Sequence, residues 1–114
     1  MKEILFTGSG VAIVTPFHAG AVNFPAFGRL IDRQIDGGTD AIIVCGTTGE
    51  ASTMSYRERM RTIEFCVDHV DGRLPVIAGT GSNSTENALA LSRDADIVIA
   101  AAGRPGLITA DFQI

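Results

Sequence analysis

The sequence predicts an α/β protein built from parallel βα units, and three observations carry that reading. Four short apolar runs punctuate the chain: Val11-Ala12-Ile13-Val14, Ala41-Ile42-Ile43-Val44-Cys45, Val76-Ile77-Ala78 and Ile97-Val98-Ile99-Ala100. All are rich in β-branched residues and none alternates apolar with polar, which is how strands buried on both faces of a parallel sheet read. Helical patterns lie between them, so strand and helix alternate along the chain.

The first strand closes at Thr15-Pro16, where a proline without an amide hydrogen ends further pairing. The first helix is expected from about Phe24 to Asp36. Asn23 is its N-cap, Pro25 is tolerated in its first turn, and Gly37-Gly38 stop it. Phe24, Phe27, Leu30, Ile31 and Ile35 fall on one apolar stripe. The second helix opens with Ser55-Tyr56-Arg57-Glu58, a capping box in which hydroxyl and carboxylate satisfy each other's backbone amides. Met60, Ile63, Val67 and Val70 supply its buried face, and Gly72 ends it. The third starts near Ser84 and carries Ala88, Leu89 and Leu91. The strands then start near residues 11, 41, 76 and 97. The first two intervals suit ordinary βα units, whereas the last leaves the third helix barely two turns.

The 114 residues have room for one α/β domain, 1–114. With 46% of them hydrophobic and 19% charged, a real core can form, which argues against wholesale disorder. Nine basic residues against 13 acidic ones give a net charge of −4, and the basic residues are scattered. That balance argues against nucleic acid and against a membrane surface as partners. Lys2 is the only lysine. Cys45 and Cys66 form no CxxC pair and have no histidine at metal-ligand spacing. They read as two small buried hydrophobes in a reducing compartment, with no metal and no cofactor. The start is too weakly apolar for a signal segment, and Ile97–Ala102 falls far short of the roughly 20 residues that span a bilayer. A cytoplasmic location is expected.

Two glycine-rich loops follow strands. Gly46-Thr47-Thr48-Gly49-Glu50 leaves the second strand directly. In a parallel sheet the mouth beyond the strand C-termini is where ligands bind. Glycines allow close backbone approach, while amides and two hydroxyls can receive a small carboxylate without a cation. The same residues also suit a tight strand-to-helix connection whose threonines cap their own backbone. Gly79-Thr80-Gly81-Ser82-Asn83-Ser84 follows the third strand. Ser84 stands where a dinucleotide fingerprint needs its third glycine, and no Gly-Lys-Ser/Thr occurs, so a glycine turn feeding a Ser84 N-cap is the better reading. His18 and His69 are isolated from other metal-ligand or triad residues, and Tyr56 is the only tyrosine.

Together these residues resemble a family. Gly10-Val11-Ala12-Ile13-Val14-Thr15-Pro16-Phe17, then Gly46-Thr47-Thr48-Gly49-Glu50, then Pro75-Val76-Ile77-Ala78-Gly79-Thr80-Gly81-Ser82-Asn83-Ser84-Thr85-Glu86 look like dihydrodipicolinate synthase. The resemblance covers about residues 6–94. Related sugar-acid lyases usually show Ser-Thr at Thr47-Thr48, which favours the lysine-pathway enzyme. The resemblance implies a TIM barrel, usually a homotetramer, in which a lysine forms a Schiff base with pyruvate before condensation with aspartate semialdehyde. It implies that Thr47 belongs to a proton-shuttling hydroxyl relay with two tyrosines, and that Thr48, with Gly46 and Gly49, holds the pyruvate carboxylate. Asn83 matches a position that contacts feedback lysine in regulated members. The glutamate usual four residues later is Asn87 here, a departure from the regulated pattern.

Other departures concern the chemistry itself. No lysine follows Lys2, and neither relay tyrosine has a counterpart, Tyr56 being in the wrong place. A whole (β/α)8 barrel needs about 250 residues. The tail, about residues 95–111, resembles instead the Rossmann domain of methylenetetrahydrofolate dehydrogenase/cyclohydrolase. There a strand ends in Gly-Arg/Lys-Pro-Gly beside the NADP site, as Gly103-Arg104-Pro105-Gly106 would here. The expectation is a join near Asp94: a recombinant or designed chimera, or a mis-assembled gene, with barrel-like βα units over 1–94 and a Rossmann-like strand and tail over 95–114. Such a chain would be a catalytically incomplete lyase fragment, closed as a small open sheet or a half-barrel oligomer. A working lyase completed by another chain and a small NADP- or phosphate-binding module are the alternatives. Unpaired sheet edges predict self-association.

Overall fold

The elements run β1 (Gly10–Ala12), β2 (Phe17–His18), β3 (Ala21–Val22), α1 (Phe24–Asp36), β4 (Ala41–Val44), a 3-10 turn at Ala51–Thr53, α2 (Tyr56–Val70), β5 (Val76–Gly79), α3 (Thr85–Ala102) and β6 (Leu107–Ala110). They are seen in a computed structural model that describes residues 8–46, 48–81, 84–102 and 107–110. Four strands form one sheet in the order β1-β4-β5-β6, every pair parallel. Each crossover steps to the next position in the same direction. Right-handed connections then place all three helices on one face of the sheet. The α/β class and the parallel βα units of the sequence reading are therefore present, as an open fragment without barrel closure among the described residues.

Register decides which strand residues meet the helices. Val11, Ile42 and Val76 stand opposite one another, as do Ala12, Ile43 and Ile77 in the next row. Ile42, Val44, Val76 and Ala78 join the core with Phe27 and Ile31 of α1 and Ile63, Cys66, Val67 and Val70 of α2. On the alternate rows Ala12 is exposed and Ile43 only half-buried. The face away from the helices is thus apolar and partly open.

The helix boundaries follow from local chemistry. In α1 the Asn23 side chain accepts a hydrogen bond from the Ala26 amide at 3.2 Å, and the Gly37 amide closes the other end on the Arg33 carbonyl. The capping box of α2 is complete: Glu58 donates its amide to Ser55 Oγ at 3.1 Å, and the Ser55 amide donates to Glu58 Oε1 at 3.0 Å. Ser84 Oγ accepts the Asn87 amide at the start of α3. Ala88 and Leu91 are buried on α3, but Leu89, also expected to serve that helix, is 61% exposed. Tyr56 reaches across from α2 and donates its hydroxyl to the Ala90 carbonyl at 3.3 Å.

The fourth strand is where the sequence reading needs correction. Ile97-Val98-Ile99-Ala100 lies inside α3, and the strand is Leu107–Ala110. No glycine or proline interrupts the chain from Ser84 to Ala102, and alanine, the best helix former, recurs throughout. Four β-branched or small residues cost a helix only tenths of a kcal/mol each, so the helix runs on to Ala102. Strands now begin at residues 10, 41, 76 and 107. The short third interval that pointed to a join near Asp94 disappears, and with it the strand assigned to a Rossmann-like tail.

Two further features were not foreseen. Between the first strand and α1 the chain makes a hairpin, Phe17 opposite Val22. Its turn residues Ala19 and Gly20 both have positive φ, 52° and 80°, the sign a two-residue turn of the primed type demands. Asn or Asp before the glycine would have announced it; Ala19 does not. His69, isolated in sequence, clasps α2 to α1. Its Nε2 lies 3.0 Å from Asp32 Oδ1, and Arg73 donates to the same oxygen at 3.1 Å. The Arg73 guanidinium, against a burial penalty, and then the His69 ring hold the Asp32 carboxyl below its usual range. The imidazole stacks on Phe65 and fills the space above Gly28, where a Cβ would lie 3.0 Å from the ring. His69 thus serves helix packing.

Candidate functional site at the strand C-termini

Three segments converge where β1, β4 and β5 end. Ile13 and Thr15 follow β1, both 3% exposed. Cys45 to Glu50 follows β4, and Gly79 to Gly81 ends β5 and begins the next loop. The β4 exit is sharp. Cys45 adopts φ 57° and Glu50 φ 60°, left-handed conformations that non-glycine residues adopt rarely and mostly where the surroundings hold them. On either side of Glu50 the Gly49 and Ala51 amides both point back to the Gly46 carbonyl, at 3.1 and 3.4 Å. The result is a tight turn packed down on the end of β1.

Glycines let these segments approach so closely. A Cβ on Gly49 would stand 3.1 Å from both the Ile13 carbonyl oxygen and Thr15 Oγ1. A Cβ on Gly79 would run into the Cys45 carbonyl, backbone against backbone. Gly46 is different: a Cβ there would make only an ordinary 3.5 Å contact with Ile43. Thr48 lies exposed at the rim, while Gly46 and Gly49 are buried beneath it. The turn thus presents Thr48 above two buried glycines. Thr47, Asn83 and the proposed cofactor residues Gly103, Arg104 and Pro105 lie outside the described residues, as does Lys2.

Arg59 is the functional-site neighbour that the sequence reading missed. It is 7% exposed, and its Nη2 donates to the Gly79 carbonyl at 2.7 Å. Both terminal nitrogens reach the Gly81 carbonyl, at 3.2 and 3.3 Å. The guanidinium therefore pins the loop after β5 to α2, in a fork that only arginine provides. Burial lowers its pKa from the ordinary arginine value. A signal did exist. Arg59 shares its helical face with Ile63, Cys66 and Val70, so a charge stood in an otherwise buried stripe. Ser92 adds a second tie by donating to Thr80 Oγ1 at 2.8 Å. With the carbonyls of Gly79 and Gly81 turned to Arg59, this loop reads as a braced glycine turn, in line with the N-cap role expected of Ser84.

Both thiols are inert. Burial pushes the Cys45 thiol up to about 12, only partly offset by Arg59, and pushes Cys66 higher still, with Cys45 adding to the effect. Neither supplies a nucleophilic thiolate. Among the described residues no group of histidine, cysteine, aspartate or glutamate could hold a metal ion, and no helix is long and apolar enough to cross a membrane.

Comparison with known proteins places this arrangement. The model of the dihydrodipicolinate synthetase family matches residues 5–104. The 4-hydroxy-tetrahydrodipicolinate synthase of Clostridium novyi (strain NT) is 57% identical over 94 residues, 82% of this chain and 32% of the relative. The crystal structure of dihydrodipicolinate synthase from Aquifex aeolicus superposes with a TM-score of 0.80 at 47% identity, over 91% of this chain and 34% of that one. A chloride-inhibited dihydrodipicolinate synthase from Acinetobacter baumannii, complexed with pyruvate, superposes at 0.77 with 42% identity, over 80% and 32% of the two chains. The chain belongs to the dihydrodipicolinate synthetase family. It spans about a third of the length of the curated relatives it matches. The family match continues ten residues past Asp94, so neither a join at that point nor a Rossmann-like tail finds support.

Proposed function

We propose that this chain is the N-terminal part of a pyruvate-dependent Schiff-base lyase of lysine biosynthesis, and that it carries the loop for pyruvate's carboxylate without the amine that pyruvate's carbonyl must meet. The observation that carries the reading is the Gly46–Glu50 turn. It closes β4 at the sheet's C-terminal edge, with Gly49 where the end of β1 leaves little room for a side chain. In this reading Thr48, exposed on a turn whose Gly49 and Ala51 amides are held by the Gly46 carbonyl, receives the carboxylate, and Thr47 belongs to the proton relay. An imine forms when an amine attacks the keto carbon and water leaves. Lys2, the only lysine, precedes β1 in the sequence and lies outside the described residues. The chemistry therefore waits on residues that another segment or chain must bring.

Pyruvate alone tests this. In an amide-resolved NMR titration, saturable shifts are expected at Thr48, Gly49 and Glu50 with a Kd on the order of 1 mM, the strength of a few polar contacts. Borohydride added to the same sample should leave the chain's mass unchanged. Absence of saturable shifts in the turn would remove the carboxylate role, and a pyruvate adduct fixed on this chain would overturn its incompleteness.

The same reading includes self-association. β1 and β6 each have one strand neighbour among the described residues, and the sheet face carrying Ala12 and Ile43 lacks a helical layer. Edges with open backbone groups and an uncovered apolar face favour pairing with a second copy. Light scattering should give a mass of two or more chains; a monomer at every concentration tested would count against it.

A further inference from the structure

We infer that Thr15 is a ligand-contacting residue of this site, its hydroxyl held to donate a hydrogen bond to an oxygen of the small carboxylate that the Gly46–Glu50 turn receives. The inference rests on the proposed function and extends it to a residue whose only assigned task was to help end a strand. Thr15 is 3% exposed, and its Oγ1 has no hydrogen-bond partner among the described residues. A buried hydroxyl left unpaired costs stability, and such groups in a folded chain call for a reason. Ending the strand is not that reason, because the adjacent Pro16 does so without any hydroxyl. Packing is not the reason either, since valine has nearly the same shape and carries no desolvation cost.

The location supplies a reason. Oγ1 stands 3.1 Å from where a Cβ of Gly49 would be, so the hydroxyl and the turn are fitted to each other by the lack of a side chain at residue 49. Glycine at 49 leaves a backbone without a side chain as the cover over the buried hydroxyl on that side. A carboxylate is an acceptor only, and a threonine hydroxyl can donate to it while needing no partner of its own charge. The unpaired group, the missing Cβ and the turn at the strand ends thus describe one feature, a donor kept in reserve for an arriving oxygen.

Thr15→Val and Thr15→Ser test the assignment, using pyruvate titration followed by amide NMR and the urea unfolding midpoint of each variant. In Thr15→Val, pyruvate affinity should fall about tenfold, the size of one lost hydrogen bond to a charged acceptor, while the midpoint holds or rises. Thr15→Ser, which keeps the hydroxyl, should bind within about twofold of the parent chain. Undiminished binding in Thr15→Val would overturn the inference. A lowered midpoint in that variant would do the same by showing that the hydroxyl serves the fold. Equal loss in valine and serine variants would transfer the effect to the threonine methyl, against the proposal. Should the parent chain bind no pyruvate, the proposed function fails by itself. The midpoints then still decide: a rise in Thr15→Val keeps the hydroxyl as a group held for an outside partner, and a fall or no change removes it.

Discussion

Replacing Gly79 by alanine is expected to cost about 3 kcal/mol or more of folding stability, the upper range for forcing atoms into a packed interior. The added Cβ would run into the Cys45 carbonyl oxygen, with the carbonyl carbon at 2.8 Å and the Gly46 amide nitrogen at 3.0 Å. All three are backbone atoms, so no rotamer change relieves the clash. Relief requires β4 and β5 to separate at the end where Val44 and Ala78 pair. A domain whose total stability is about 5–15 kcal/mol loses a large share of it in that way. Gly46→Ala is the matching control, because its Cβ meets only Ile43 at ordinary contact distance. Urea titration of both variants checks the argument. A Gly79→Ala midpoint equal to that of Gly46→Ala would mean that the strands have slack that the structure does not show.

The contrast between the two glycines bears on what the sequence can disclose. Both precede a threonine at a strand end, and nothing local separates them. The difference arises because β5 lies against β4, and that pairing is a tertiary fact. The same division runs through the molecule. The limits of α1, the Ser55 capping box and the burial of Ile42, Val44 and Val76 were legible, since each depends on neighbours within a few residues or on unbroken apolarity. The fourth strand was misplaced because a short β-branched run does not distinguish strand from buried helix. Continuity of the chain from Ser84, free of glycine and proline, was the stronger cue. That misplacement, more than any motif, created the appearance of a join.

At the site, loop positions were legible and partners were not. Gly46 and Gly49 fall where a parallel sheet puts its ligand edge, so the carboxylate reading needed only the strand assignment. The hydroxyl of Thr15 became informative only when its surroundings proved to contain no partner. His69 needed no such correction. Read from the sequence as isolated from metal-ligand and triad residues, it is engaged by Asp32 and Phe65 between two helices. Burial and bonding partners, not residue type, separate these cases.

Arg59 carries the second large effect. Arg59→Ala is expected to lose about 3 kcal/mol, because hydrogen bonds to a charged donor contribute about 1.5–3 kcal/mol each and the carbonyls left behind are poorly reached by water. The Gly79 carbonyl is the more exposed to that loss, since it accepts Arg59 at 2.7 Å from within a fully buried strand. Arg59→Lys separates charge from shape. A lysine ammonium is a point donor and cannot fork between the Gly79 and Gly81 carbonyls as the planar guanidinium does. It should recover no more than about half of the lost stability. Hydrogen exchange locates the effect. Amides of Thr80 and Gly81 should exchange faster in both variants, while those of the first turn of α2, held by the Ser55 capping box, should change little. Full stability in Arg59→Lys would show that a positive charge alone is what the loop needs. Unchanged exchange at Thr80 and Gly81 in Arg59→Ala would show that the loop is held by the Ser92 to Thr80 contact instead. The expected pattern makes Arg59 the brace that keeps the β5 exit in place beside the Gly46–Glu50 turn, so a charge inside an apolar stripe shapes the site without touching its ligand.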